Sequence, residues 1–93
     1  MKEFTKEELL LIEECGACQL VPADMAIVLE INADLLSREL GNPESALYKR
    51  FNKGRLVAEM QVRKSIFSMA SQGATQAQSL YIQLMEELKI AQA

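Results

Sequence analysis

Pro22-Ala23-Asp24-Met25-Ala26-Ile27-Val28-Leu29-Glu30-Ile31-Asn32-Ala33-Asp34-Leu35-Leu36-Ser37-Arg38-Glu39-Leu40 carries two short helical patterns joined by a corner of a few residues. Ala26, Leu29 and Ile31 supply inward positions for the first pattern and the corner after it. Asn32 stands where a helix needs an N-cap, since its side-chain oxygen can accept from an unpaired amide of the next turn. Leu36 and Leu40, four apart, place apolar groups one above the other on the second helix. Ala33, Asp34, Ser37 and Arg38 are left facing outward. Two packed helices with a tight corner read as a helix-turn-helix, whose second helix has the shape that enters a DNA major groove. The same residues also suit a helical corner that packs and touches nothing.

The 93 residues allow one domain, or one small domain with an oligomerisation tail, and a single helical domain over 1–93 is expected. A chain of this size buries only roughly 60–65% of its unfolded surface. With no Trp and five Met, the core is built from Leu, Ile, Val, Ala and Met. A net charge of -3 argues against a general nucleic-acid binder, because Lys and Arg supply most non-specific phosphate affinity. The charge is unevenly spread, however. Lys49, Arg50, Lys53, Arg55, Arg63 and Lys64 cluster with Glu59 as the lone acid among them, whereas Glu3, Glu7, Glu8, Glu13, Glu14, Asp24 and Glu30 dominate the N-terminal part. Such asymmetry marks a polyanion-facing surface or a solvated face.

No apolar run approaches the roughly 18 residues of a membrane span, and the acidic N-terminus lacks a signal peptide's basic start and apolar middle. A cytoplasmic protein without membrane contact is expected. Its two cysteines, Cys15 and Cys18, then lie in a reducing compartment where a disulfide is not the default. Their C-x-x-C spacing lacks the further ligands of a zinc site and follows a helix rather than opening one, so small hydrophobes at a helix end are expected, with no metal. No His and no glycine-rich phosphate loop is present, so no catalytic residue and no cofactor is assigned.

Along the chain, Thr5 and Glu8 form a capping box, with Phe4 and Leu9 placed as a hydrophobic staple. That first helix is expected to stop near Cys15 or Gly16, since Gly accepts the left-handed conformation. Pro22 opens the next helix. Gly41-Asn42-Pro43-Glu44 closes one helix and opens another. From Glu44 to about Gln72, Leu47, Phe51, Ala58, Val62, Ile66 and Met69 recur on one face together with Gly54. Gly54 costs about 1 kcal/mol against Ala in a helix interior, which points to a close helix approach or a kink. Lys49, Lys53, Arg63 and Lys64 fall opposite this stripe, and Arg50 to one side. Ser71 to Thr75 breaks the long helix, with Thr75 as cap of the last one. There Leu80, Leu84 and Leu88 form a ridge flanked by Tyr81 and Met85, either folding back as a hairpin or packing on a neighbouring subunit.

Ala26 to Leu40, followed by Asn42-Pro43-Glu44, Tyr48 to Arg55, Ala58-Glu59, Ile66 to Ala70, Gly73-Ala74-Thr75-Gln76-Ala77 and Leu80-Tyr81, resembles the helix-turn-helix proteins of phages and prophages that are similar to small terminase subunits. The resemblance covers about residues 20 to 88, with Gly54-Arg55 and Gly73-Ala74-Thr75 as its more specific landmarks. It implies a non-enzymatic, oligomeric subunit that binds double-stranded DNA and hands it to a large ATP-hydrolysing terminase subunit for packaging. Ala33, Asp34, Ser37 and Arg38 would face the groove, and Lys49, Arg50 and Lys53 would lie near phosphates. The helices from Glu44 onward would form the hairpin through which subunits assemble. Two departures stand out: Glu30 occupies the corner where the motif usually has Gly, and Asp34 and Glu39 add negative charge to the second helix.

The expected fold is therefore all-α with about five helices, a helix-turn-helix followed by a helical hairpin. Residues about 1–41 hold the N-terminal helix and the helix-turn-helix, and about 42–93 the long and terminal helices. DNA binding is the leading expectation. The alternatives are a helical interaction or oligomerisation module presenting Leu80, Tyr81, Leu84 and Leu88, and a phage-type transcriptional regulator with no packaging role.

Overall fold

The computed structural model describes residues 3–73 and 75–92, which form five helices and no strand. In chain order these are α1 (Lys6–Ala17), α2 (Pro22–Leu29), α3 (Ala33–Leu40), α4 (Ala46–Ser71) and α5 (Thr75–Gln92). The fold is all-α, a helix-turn-helix followed by a helical hairpin. Among the described residues no helix is long and apolar enough to cross a membrane. The chain divides into two compact units, Met1–Ala58 and Glu59–Ala93, with α4 contributing its first half to one and its second half to the other.

In the first unit α1 starts on the expected capping box. The Thr5 hydroxyl accepts from the Glu8 amide at 3.1 Å, and the Thr5 amide donates to Glu8 Oε1 at 2.9 Å. Its end differs from the expectation. The helix runs on to Ala17, and the left-handed residue is Gln19 at φ 55°, not Gly16. Gly16 is buried inside the helix for a different reason: a Cβ there would overlap the Phe51 carbonyl oxygen of α4. Reciprocally, a Cβ on Gly54 would overlap the Glu13 carbonyl oxygen of α1. Of the two explanations for Gly54, close approach is the one realised, backbone against backbone.

Pro22 occupies the first turn of α2, where its missing N–H costs nothing. The corner closes at Glu30, which adopts φ 55° and ψ 44°; the Glu30 and Ile31 amides donate back to the Ile27 and Ala26 carbonyls at 3.3 and 3.1 Å. A side chain in this left-handed conformation costs about 1 kcal/mol that Gly would avoid. Asn32 then caps α3, its Oδ1 accepting from the Asp34 and Leu35 amides at 2.8 and 3.2 Å.

The α3 to α4 connection departs from the expectation in two places. Gly41 ends α3 at φ -86°, an ordinary right-handed conformation, so its freedom is not used. Asn42 Oδ1 accepts from the Glu44 amide at 3.1 Å, but this holds only a turn; α4 begins at Ala46, after the buried Ser45 hydroxyl accepts from the Leu47 amide at 3.2 Å. Ile12, Cys15, Met25, Leu29, Leu36 and Leu47 form the buried core of this unit, and Phe4, Leu9, Ala26, Ile31, Leu40 and Phe51 pack around it. Met25, fully buried, was absent from the expected set although it lies one turn from Leu29.

In the second unit α5 folds back along α4. The Phe67 and Tyr81 rings meet edge to face with centroids 5.2 Å apart, and Gln78 Nε2 donates to the Ala70 carbonyl at 3.2 Å. Gly73, at φ 88°, follows the end of α4 and takes a conformation that other residues adopt only with strain. Thr75 is the first residue of α5 rather than a cap preceding it, and Ala74 lies outside the described residues. The expected α4 stripe does not persist here. Val62 and Met69 are exposed, while Ile66 and Ala70 are the half-buried apolar positions, because the side turned toward α5 runs through those two.

In a helix interior free of close contacts, Gly54→Ala would add about 1 kcal/mol of stability. At the crossing with α1 it is instead expected to destabilise the protein by about 2 kcal/mol, since the added methyl forces the helices apart. Urea unfolding followed by circular dichroism measures the sign.

Candidate nucleic-acid interface

The buried leucines of α3 fix which side of the helix faces out. Leu36 is fully buried and Leu40 half-buried, so Ala33, Asp34, Ser37 and Arg38 are all solvent-exposed, as the spacing requires. Asp34 sits in the first turn, where the helix dipole favours an acid, and Arg38 in the last, where it favours a base. Among the described residues Arg38 forms no ion pair. Glu39 requires a correction. It does not add charge to the exposed side but is 4% exposed, because a position three after Leu36 lies on the flank of the inward face.

The cations of α4 are arranged less simply than the sequence suggests. Glu13 of α1 reaches both Arg50 and Lys53: its Oε1 lies 2.9 Å from Arg50 Nη1 and 3.5 Å from Lys53 Nζ. The glycine crossing explains why. The Glu13 backbone is pressed against Gly54, one turn along α4 from Arg50 and next in sequence to Lys53, and its carboxylate reaches both. Two cations with one shared carboxylate present about one net positive charge to a polyanion instead of two. Lys49 keeps a largely exposed ammonium, 4.0 Å from the still more exposed Glu44 carboxylate, a pair worth little in water.

Arg55 donates through Nε and Nη2 to Asn52 Oδ1 of its own helix at 3.3 and 3.2 Å. Arg63 pairs along α4 with Glu59 at 3.9 Å, within the second unit. The basic run therefore splits, with Lys49, Arg50, Lys53 and Arg55 in one unit and Arg63 and Lys64 in the other. Glu13 was not among the residues singled out, since its role depends on a contact between residues 37 positions apart.

On α5, Leu84 and Leu88 are half-buried, whereas Leu80 and Tyr81 keep 49% and 39% of their surface exposed. The ridge expected as an interface is thus divided between facing α4 and facing out.

Cys15 and Cys18 are both free thiols, but only Cys15 is buried. Cys15 packs in the core as a small hydrophobe, and burial pushes its thiol above the ordinary cysteine range, with Cys18 and Glu14 adding to the shift. Among the described residues no group of three or more potential metal ligands converges. In native protein near pH 8, a thiol reagent is expected to modify Cys18 within minutes and to reach Cys15 only on unfolding, so one thiol is titrated without denaturant and two with it.

Comparison with protein-family models, with curated proteins and with solved structures finds no match to this chain.

Proposed function

We propose that this chain is a non-enzymatic, double-stranded DNA-binding protein that places α3 in the major groove. The observation that carries the reading is the helix-turn-helix itself: a corner closed at Glu30, an N-capped α3 and an outer face of Ala33, Asp34, Ser37 and Arg38 that is entirely exposed. Arg38 is the base or phosphate contact of this face. Ser37 can donate to a base edge or a phosphate, and Asp34 accepts from a cytosine amino group while repelling a misplaced phosphate. Lys49 holds the backbone; Arg50 and Lys53 join it to the extent that phosphate displaces Glu13. A narrower role in phage DNA packaging, beside a large ATP-hydrolysing terminase subunit, rests on the sequence resemblance alone.

Titration of duplex DNA at two ionic strengths tests this. Affinity is expected to fall steeply with salt, Arg38→Ala to weaken specific binding about tenfold, and Lys49→Ala to reduce the salt slope by about one. Glu13→Gln, which leaves Arg50 and Lys53 without their counter-charge, is expected to tighten binding and steepen that slope. Affinity independent of salt, or no binding by any of these proteins, overturns the proposal.

A further inference from the structure

The C-x-x-C pair at the end of α1 is a motif that the DNA reading leaves unused. Cys18 ends the helix in a right-handed conformation, φ -87° and ψ -5°, with its amide donating to the Glu14 carbonyl at 3.0 Å. Residues 15 to 18 therefore make one helical turn, in which side chains three apart share a face with Cβ atoms about 5–6 Å apart. A disulfide needs about 3.8 Å, so tightening this turn by about 1–2 Å joins the two sulfurs. Access to the two thiols is unequal: Cys18 is exposed, whereas Cys15 is only 3% exposed. They are close enough that Cys18 contributes to the raised pKa of Cys15.

The chain that follows closes back on Cys15 itself. The Leu20 amide donates to the Cys15 carbonyl and the Gln19 amide to the Gly16 carbonyl, both at 3.0 Å, the paired bonds of a Schellman end. Gln19 holds the left-handed position that Gly ordinarily takes there. Leu20 packs against the core cluster to which Cys15 belongs. The helix backbone is pinned on both sides of Cys15, Glu13 against Gly54 and Gly16 against the Phe51 carbonyl, so α1 cannot slide to follow a moving sulfur. Drawing Cys15 Sγ toward Cys18 thus takes it out of the core it shares with Met25, Leu29 and Leu36 of the helix-turn-helix.

We propose that Cys15 and Cys18 form a reversible dithiol–disulfide switch, operated by a low-molecular-weight disulfide, whose oxidised state loosens the first unit. The exposed Cys18 thiolate attacks one sulfur of the disulfide, forming a mixed disulfide and expelling the first small thiol. The Cys15 thiolate then attacks Cys18 Sγ, closing the bond within the turn and expelling the second. Two cysteine thiols are oxidised, one small disulfide is reduced to two thiols, and the two cysteine protons end on those leaving groups. Disulfides in a reducing compartment are characteristically transient and redox-sensing, which fits a pair that is free at rest. The proposal stands apart from the DNA reading.

Oxidised glutathione, with intact-protein mass spectrometry of the full chain, tests it. An alkylating reagent that counts one native thiol cannot, because capped Cys18 carries no disulfide for Cys15 to attack. Wild type is expected to pass through a glutathionylated intermediate and end two hydrogens lighter, Cys15→Ala to stop with one glutathione attached, and Cys18→Ser to stay unmodified. The closing step should keep its rate in urea well below the unfolding transition. The oxidised protein should unfold at a lower urea concentration than the reduced one, and dithiothreitol should restore the original midpoint. Wild type halted at the mixed disulfide, a bond between two chains, a closing rate that rises with urea as unfolding does, or equal midpoints for the two forms would overturn the proposal.

Discussion

Two glycines that face each other across a helix crossing set the architecture of the first unit. Gly16 on α1 and Gly54 on α4 each leave room for a backbone carbonyl of the other helix, so the two rods approach more closely than side chains ordinarily allow. That approach brings Phe51 against a core that includes Ile12, Cys15 and Leu47. The helix-turn-helix packs on the same core through Met25, Leu29 and Leu36, and the exposed side of α3 follows from that packing.

The crossing also shapes the charge available for binding. Pressing the Glu13 backbone onto α4 brings its carboxylate to Arg50 and Lys53, which otherwise would be two unmatched cations on an exposed helix. In the first unit Arg38 is exposed without an ion pair among the described residues and Lys49 keeps a largely exposed ammonium, whereas Glu13 neutralises part of the charge of Arg50 and Lys53. The buried Glu39 removes one of the two acids that the sequence places on α3 and leaves Asp34 as the negative group on its exposed side.

Much of this was legible in the chain because the signals are local. The Thr5 and Glu8 capping box, Pro22, Asn32 and the Leu36 to Leu40 spacing each act within one turn, and each holds. The left-handed Glu30 falls at the corner where the family resemblance places Gly; nothing in the local residues marks it. Some local signals are used otherwise than read, as at Gly41, Asn42 and Thr75, and other positions take a role that depends on a distant partner. Gly16 reads as a helix stop until α4 is known to cross there, and the Arg50 and Lys53 side chains read as open until α1 is placed beside them. Val62 and Met69 extend a stripe that is continuous in sequence, yet α5 packs along Ile66 and Ala70. The local geometry of α3 was readable for the same reason; what it touches was not, since no short-range signal encodes a partner.

The close crossing of α1 and α4 is tested most directly by a double-mutant cycle on its two glycines. If one separation of the helices relieves both overlaps, Gly16→Ala and Gly54→Ala are coupled: once either methyl has pushed the helices apart, the second adds little, and the double variant unfolds at nearly the same urea concentration as the worse single one. Strictly additive losses, or two substitutions that leave stability unchanged, would contradict the account.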